Sequence, residues 1–267
     1  MSGTTVTRAE LHIGDRRLSY LDFGGPGRPL LALHGHLGEA ANWQGLAAEL
    51  APRWRVVAPD QRGHGDSDRA DDYTREGYLA DAVALLDHLR LDAVVALGHS
   101  GGGMTAYQLA ARHPERVDAL VVEEAAAALP EGPSPLEFVL GLPYRAATRE
   151  QLLDALGPVL APLFGDLLRP TPDGGWRLPF HPRDTVASER LGRGDHWADW
   201  TGSTCPALLV AGTEQPCLDP EMTGGMVRRR PGTRLVELAT DHFVHAKDPA
   251  GFAAAVREFL ENPPRIR

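Results

Sequence analysis

The most chemically specific spacing in the chain is Gly98-His99-Ser100-Gly101-Gly102. The apolar run Ala93–Leu97 precedes it, and Gly103–Arg112 follows with Met104, Tyr107, Leu109 and Ala110 at helical spacing. Strand, Gly-x-Ser-x-Gly and helix in that order read as a nucleophile elbow, a sharp turn that lifts a serine hydroxyl clear of the backbone. A side chain at Gly98 or Gly102 would collide with the strand or helix packed across the turn. Ser100 would then open a helix, where free N–H groups and the helix dipole favour developing negative charge. A serine hydroxyl is a poor nucleophile at neutral pH. It needs a base to take its proton and a third group to orient that base. The 11 histidines supply candidates for the base, and the 36 Asp and Glu residues candidates for the acid.

Such groups meet only if a scaffold brings them to one edge. Thr4–Ile13 and Arg16–Phe23 alternate around Gly14-Asp15 and predict an antiparallel hairpin at a sheet edge. Leu30–Leu33 reads as a strand buried on both faces and runs into His34-Gly35-His36-Leu37-Gly38. A helix over Asn42–Leu50, a strand over Arg55–Ala58 and an amphipathic helix over Glu76–Leu89 follow. Beyond the elbow come the strand Val117–Val122 and then, after a long interval, Ala207–Ala211 and Arg234–Leu238, with helices over Glu221–Arg229 and Pro249–Leu260. Strands alternating with helices require a parallel, doubly covered sheet. Glu124–Ser203 breaks the rhythm: it is rich in proline, and its apolar runs are helical.

Composition removes whole classes of function. The chain has 267 residues, 43% hydrophobic and 24% charged, enough for one large α/β domain plus an insertion. A net charge of −9 argues against nucleic acid or an anionic membrane surface as partner. No apolar run has the length of a signal-peptide core or a spanning helix. The two cysteines, Cys205 and Cys217, form neither a zinc site nor a disulfide framework, which points to a reduced, cytoplasmic protein.

Over roughly Arg28–Val122 and Cys205–Leu260 the sequence resembles the α/β-hydrolase family, whose triad runs in the order serine, acid, histidine. The resemblance implies a mostly parallel, doubly wound sheet of about eight strands. It divides the chain into a core, 1–124 and 204–267, and an inserted helical cap, 125–203. It makes His242, after the last strand in Thr240-Asp241-His242-Phe243-Val244-His245, the base, although Asp241 stands where relatives usually have glycine. It makes Glu214 the acid, after the strand Ala207–Ala211, with Gly212 and Pro216 bracketing its loop. Some relatives take the acid from the end of the strand before the cap, here Glu123-Glu124, so Glu124 is the alternative, ahead of Glu123. The run Ala125–Ala128 has no turn residues and predicts a continuation as helix. The backbone N–H groups of Gly101 and His36 would hold an oxyanion. His34 and His64 would brace loops, and His245 would pack behind the site.

The reading is a serine hydrolase that cleaves a carboxylic ester, lactone or thioester through an acyl-enzyme. The alternatives are a non-hydrolytic enzyme on the same scaffold (a cofactor-free oxygenase, perhydrolase or cyclase) and a non-catalytic ligand-binding protein. Leu37, Phe138, Leu142, Trp197 and Phe243 are expected to line the substrate pocket. The partner is a small molecule. No cofactor and no metal are implied, and oligomeric state leaves no mark in the sequence.

Overall fold

The computed structural model describes residues 5–214 and 218–264. The alternating N-terminal segments form a hairpin, β1 (Thr7–Ile13) with β2 (Arg16–Asp22), and β2 runs antiparallel to β4 (Trp54–Pro59). The remaining strands are parallel: β3 (Arg28–Leu33), β5 (Val94–His99), β6 (Val117–Glu123), β7 (Ala207–Gly212) and β8 (Thr233–Leu238). Together they make an eight-stranded sheet in the order β1-β2-β4-β3-β5-β6-β7-β8. The predicted hairpin is the antiparallel edge of an otherwise parallel sheet.

Strand periodicity places alternate residues of β5 on opposite faces. Val94 and Ala96 pack in a cluster with α2 (Arg75–His88) and α3 (Gly101–Arg112). Val95 and Leu97 pack on the other face with α1 (Gln44–Leu50) and the C-terminal helix Pro249–Glu261. Full burial of each large aliphatic or aromatic side chain there contributes roughly 1.5–3 kcal/mol. The sheet therefore holds the ends of β5 and β6 rigidly side by side.

The segment between β6 and β7 contributes α4 (Arg149–Phe164), α5 (Pro182–Leu191) and α6 (Trp197–Thr201). Val139, Leu152, Leu156, Phe164, Leu178, Phe180 and Val186 form an apolar cluster of their own. α6 differs: Trp200 is fully buried against the sheet-side cluster, edge-on to Tyr107 at 5.9 Å. The run after Glu124 does not continue as helix. Ala125–Ala127 are buried in irregular chain, and Ala128–Leu129 pairs with Gly194–Asp195. α7 (Pro220–Arg229) packs beside β8. Among the described residues no helix is long and apolar enough to cross a membrane. Cys205 is a free thiol, and Cys217 lies outside the described residues.

Candidate active site

β5 ends at His99, α3 begins at Gly101, and Ser100 between them has φ 51° and ψ −122°. Positive φ on a residue with a Cβ is strained and persists only where the surroundings hold it. Here the Ser100 N–H donates to the Glu123 carbonyl at 2.8 Å, and the Met104 N–H donates to the Ser100 carbonyl at 3.0 Å. A Cβ on Gly98 would lie 2.2 Å from the Gly102 oxygen, and one on Gly102 would lie 2.3 Å from the Leu33 oxygen. The elbow is closed to any side chain at those two positions, as its sequence requires.

His242 follows β8, immediately before the short helical turn Val244–Lys247. Its Nδ1 lies 3.3 Å from Oε2 of Glu124. The other oxygen, Oε1, accepts the Gly212 N–H at 2.8 Å, and the Glu124 N–H donates to the Val210 carbonyl at 3.0 Å. Glu124 is buried, with φ 49°, so the left-handed residue ending β6 turns its carboxylate toward the histidine loop. The carboxylate beside His242 is thus that of Glu124, the alternative, and not that of Glu214. Glu214 is exposed, and its N–H closes onto the Thr240 carbonyl at 2.7 Å. Gly212, expected to bracket the Glu214 loop, instead supplies the N–H that fixes Glu124. Gln215 and Pro216 lie outside the described residues.

A second Glu–His pair sits alongside. His245 Nδ1 is 2.9 Å from both oxygens of Glu123, and the His245 N–H donates to Oε1 at 2.8 Å. His99 lies between the pairs, its ring 4.6 Å from that of His242 and 5.0 Å from that of His245. Its Nε2–H donates to the His242 carbonyl at 3.0 Å. Burial, then the nearby His242 and His245 charges, hold the His99 imidazole well below its ordinary pKa and keep it neutral. His99, Glu123 and His245 bring potential ligand atoms within 4.8 Å of one another, but these bonds already engage them. The sequence reading missed the Glu123–His245 pair. Its one signal was two carboxylates directly after a strand buried on both faces, where a solvated role is hard to arrange.

A family model described as the alpha/beta hydrolase fold matches residues 28–249. The chain belongs to the α/β-hydrolase family. It is 39% identical over 138 residues to 2-hydroxymuconate semialdehyde hydrolase of Pseudomonas sp. (strain CF600), covering 49% of this chain and 48% of that one, so the match spans about half of that relative. It is 28% identical over 284 residues to 3-hydroxybutyrate-oligomer hydrolase of Cupriavidus necator, covering 95% of each chain. A marine microorganism esterase superposes with a TM-score of 0.77 at 25% identity, covering 96% of this chain and 99% of that one.

In this α/β-hydrolase the loop after β3 passes directly over the elbow. A Cβ on Gly35 would lie 3.0 Å from the Ser100 Cβ. The His34 Nδ1–H donates to the Gly35 carbonyl at 2.7 Å, and its Nε2 accepts the Gln61 N–H at 2.8 Å. His64 Nδ1–H donates to the Arg62 carbonyl at 3.0 Å, and burial pushes its imidazole down to about 3. Leu37 adopts φ 67° and packs against the α4–α5 cluster. Of the expected pocket residues, Leu142 joins that cluster, Phe138 is half exposed at 51%, and Phe243 sits 5.2 Å from the His242 ring. Trp197 is placed elsewhere: the Arg229 guanidinium covers its ring at 4.0 Å, which makes it part of the α6–α7 contact.

Proposed function

We propose that this hydrolase cleaves a carboxylic ester, lactone or thioester of a small molecule through an acyl-enzyme on Ser100. His242 takes the serine proton and returns it to the leaving group. Glu124 holds the His242 ring with Nδ1 protonated and stabilises the imidazolium that forms. The N–H groups of Gly101 and His36 bind the oxyanion. Water, activated by the same histidine, then releases the acid. Residues 125–203, through α4 and α5, act as the cap that selects the substrate, with Leu37, Leu142 and Phe243 toward its pocket.

The observation that carries this reading is the strained Ser100 at the start of α3, with the Glu124–His242 pair on the next strand's end. Its test is a Ser100→Ala variant assayed on a series of nitrophenyl esters, beside fluorophosphonate labelling of the unaltered enzyme. Labelling at Ser100 and loss of turnover in the variant are expected. Unchanged turnover in Ser100→Ala would remove the serine mechanism, and an unlabelled enzyme would favour a non-hydrolytic reaction or ligand binding.

A further inference from the structure

The space next to Ser100 is occupied by an imidazole. A Cβ built on Gly101 would lie 3.1 Å from Cε1 and 3.3 Å from Nδ1 of His36. His36 therefore lies against the first residue of α3, whose N–H is one oxyanion donor in the proposed reaction. Its Nδ1 is joined to its own backbone nitrogen, the other donor, through Cγ, Cβ and Cα alone. The ring's position is fixed from the far side. Nε2 is 2.9 Å from Oγ of Ser188 on α5, and that Oγ is 2.8 Å from the hydroxyl of Tyr78 on α2. Ser188 is fully buried and Tyr78 nearly so, and Arg75 and Arg62 cover the Tyr78 ring at 5.0 and 5.4 Å.

The direction of this chain decides which imidazole nitrogen carries the proton. Burial, then the neighbouring charges of His64 and Arg75, keep His36 neutral, so the ring has one N–H. If Nε2 carried it, Ser188 would accept from it, and whichever way the Ser188–Tyr78 bond ran, one of the two hydroxyl protons would have no acceptor among the described residues. A buried donor left unmade is costly. In the opposite direction Tyr78 donates to Ser188, Ser188 donates to Nε2, and every hydroxyl proton is used. The N–H then stands on Nδ1, which has no hydrogen-bond partner among the described residues but sits on a half-buried residue where solvent or substrate can accept it, unlike the enclosed Ser188 and Tyr78 hydroxyls.

We propose that the His36 side chain is a third oxyanion donor, presenting Nδ1–H beside the N–H groups of Gly101 and His36, with Ser188 and Tyr78 as the positioning residues that fix its tautomer. This rests on the acyl-enzyme reading and refines its site. It also gives the glycine after the nucleophile a reason, since a larger residue would displace the imidazole. And it ties α5, in the inserted segment, to the charge-stabilising loop through one hydroxyl.

Nitrogen-15 spectroscopy of the imidazoles in the intact enzyme, combined with kinetics of His36→Phe, Ser188→Ala and Tyr78→Phe, tests it. Expected are an Nδ1–H tautomer at His36 and, in Tyr78→Phe and Ser188→Ala, loss of that single tautomer. His36→Phe keeps a ring over Gly101 and should lower kcat by about 10²–10³-fold, the range for one oxyanion donor, with KM nearly unchanged. Affinity for a trifluoromethyl ketone, whose adduct carries the oxyanion, should fall in step with kcat. An Nε2–H tautomer, or full kcat in His36→Phe, overturns the proposal. Should His36→Phe fail to fold, the tautomer in the unaltered protein and in Tyr78→Phe decides alone. Loss of activity in Ser100→Ala together with a fully active His36→Phe refutes the third donor and leaves the serine mechanism standing.

Discussion

Replacing Glu124 with glutamine changes one atom and should nearly silence the enzyme. Oε1 of Glu124 accepts the Gly212 N–H, while Oε2 faces Nδ1 of His242. A glutamine placed the same way must keep its carbonyl toward Gly212, because an amide NH₂ there would oppose another N–H. Its NH₂ then faces His242, where Nδ1 can only accept, and the imidazole proton is driven to Nε2. A ring protonated at Nε2 cannot take the serine proton. The same tautomer error in a serine protease lowers kcat by about 10⁴, and at 1.36 kcal/mol per decade this is about 5 kcal/mol of barrier. Glu214→Gln alters an exposed side chain whose residue is held by its backbone, so its kcat should stay within about threefold of the unaltered enzyme.

The assay is kcat on a nitrophenyl ester for both variants at matched folded fraction, with melting temperatures recorded alongside. Glu124→Gln should keep a cooperative melt and lose turnover. The reasoning is refuted if Glu124→Gln turns over normally, or if Glu214→Gln is the variant that loses several orders of magnitude. Either result would return the acid to the loop after β7.

Two further expectations follow from burial. His34, His36, His64 and His99 all have imidazoles held below their ordinary pKa, first by desolvation. They stay neutral in the fold, whereas in the unfolded chain they protonate below about pH 6.5, so the unfolded state binds more protons and stability falls as pH drops through that value. For His64 that window runs from about 6.5 down to its folded value of about 3; urea midpoints between pH 7.5 and 4.5 should decline steadily, and a flat profile would contradict neutral burial. Gly102→Ala would set a methyl 2.3 Å from the Leu33 carbonyl oxygen, backbone that cannot yield, and should yield little folded protein; a soluble variant with the parent melting temperature would refute the closed elbow.

Much of this was legible because periodicity reports burial directly. The hairpin, the parallel strands and their helices could be read from alternating or continuous apolar runs, and their observed ends differ by no more than three residues. The elbow was legible because its glycines are demanded by contacts only a few residues away in sequence. The acid was not. Whether a carboxylate faces His242 depends on where β6 ends relative to β7 and on a left-handed backbone at Glu124, neither of which has a local sequence signature. The same holds for Trp197. Its aromatic character suggested a pocket wall, but α6 packs on α3 and α7, a tertiary choice that overrides position in the insertion.

Under the proposed mechanism the acid follows β6, and this decides how the site is built. His99 and Glu123 are register partners across β5 and β6, and the Ser100 N–H closes the ladder onto the Glu123 carbonyl. Under the proposed mechanism the nucleophile and the acid thus stand on adjacent strands, one residue beyond a shared pair of rungs. Only the histidine arrives on a loop, and that loop is held at both ends of the motif. His242 pairs with Glu124, His245 pairs with Glu123, and His99 takes the carbonyl between them. Two consecutive carboxylates therefore do different work. In that mechanism Glu124 orients the reacting ring, while Glu123 holds the turn that carries it, so Glu123→Gln should loosen the histidine loop. That loss belongs in turnover and its pH profile, because the serine, its strained turn and the oxyanion loop keep their own supports. An unchanged pH profile in Glu123→Gln would mean that the His242 loop is positioned without the second pair.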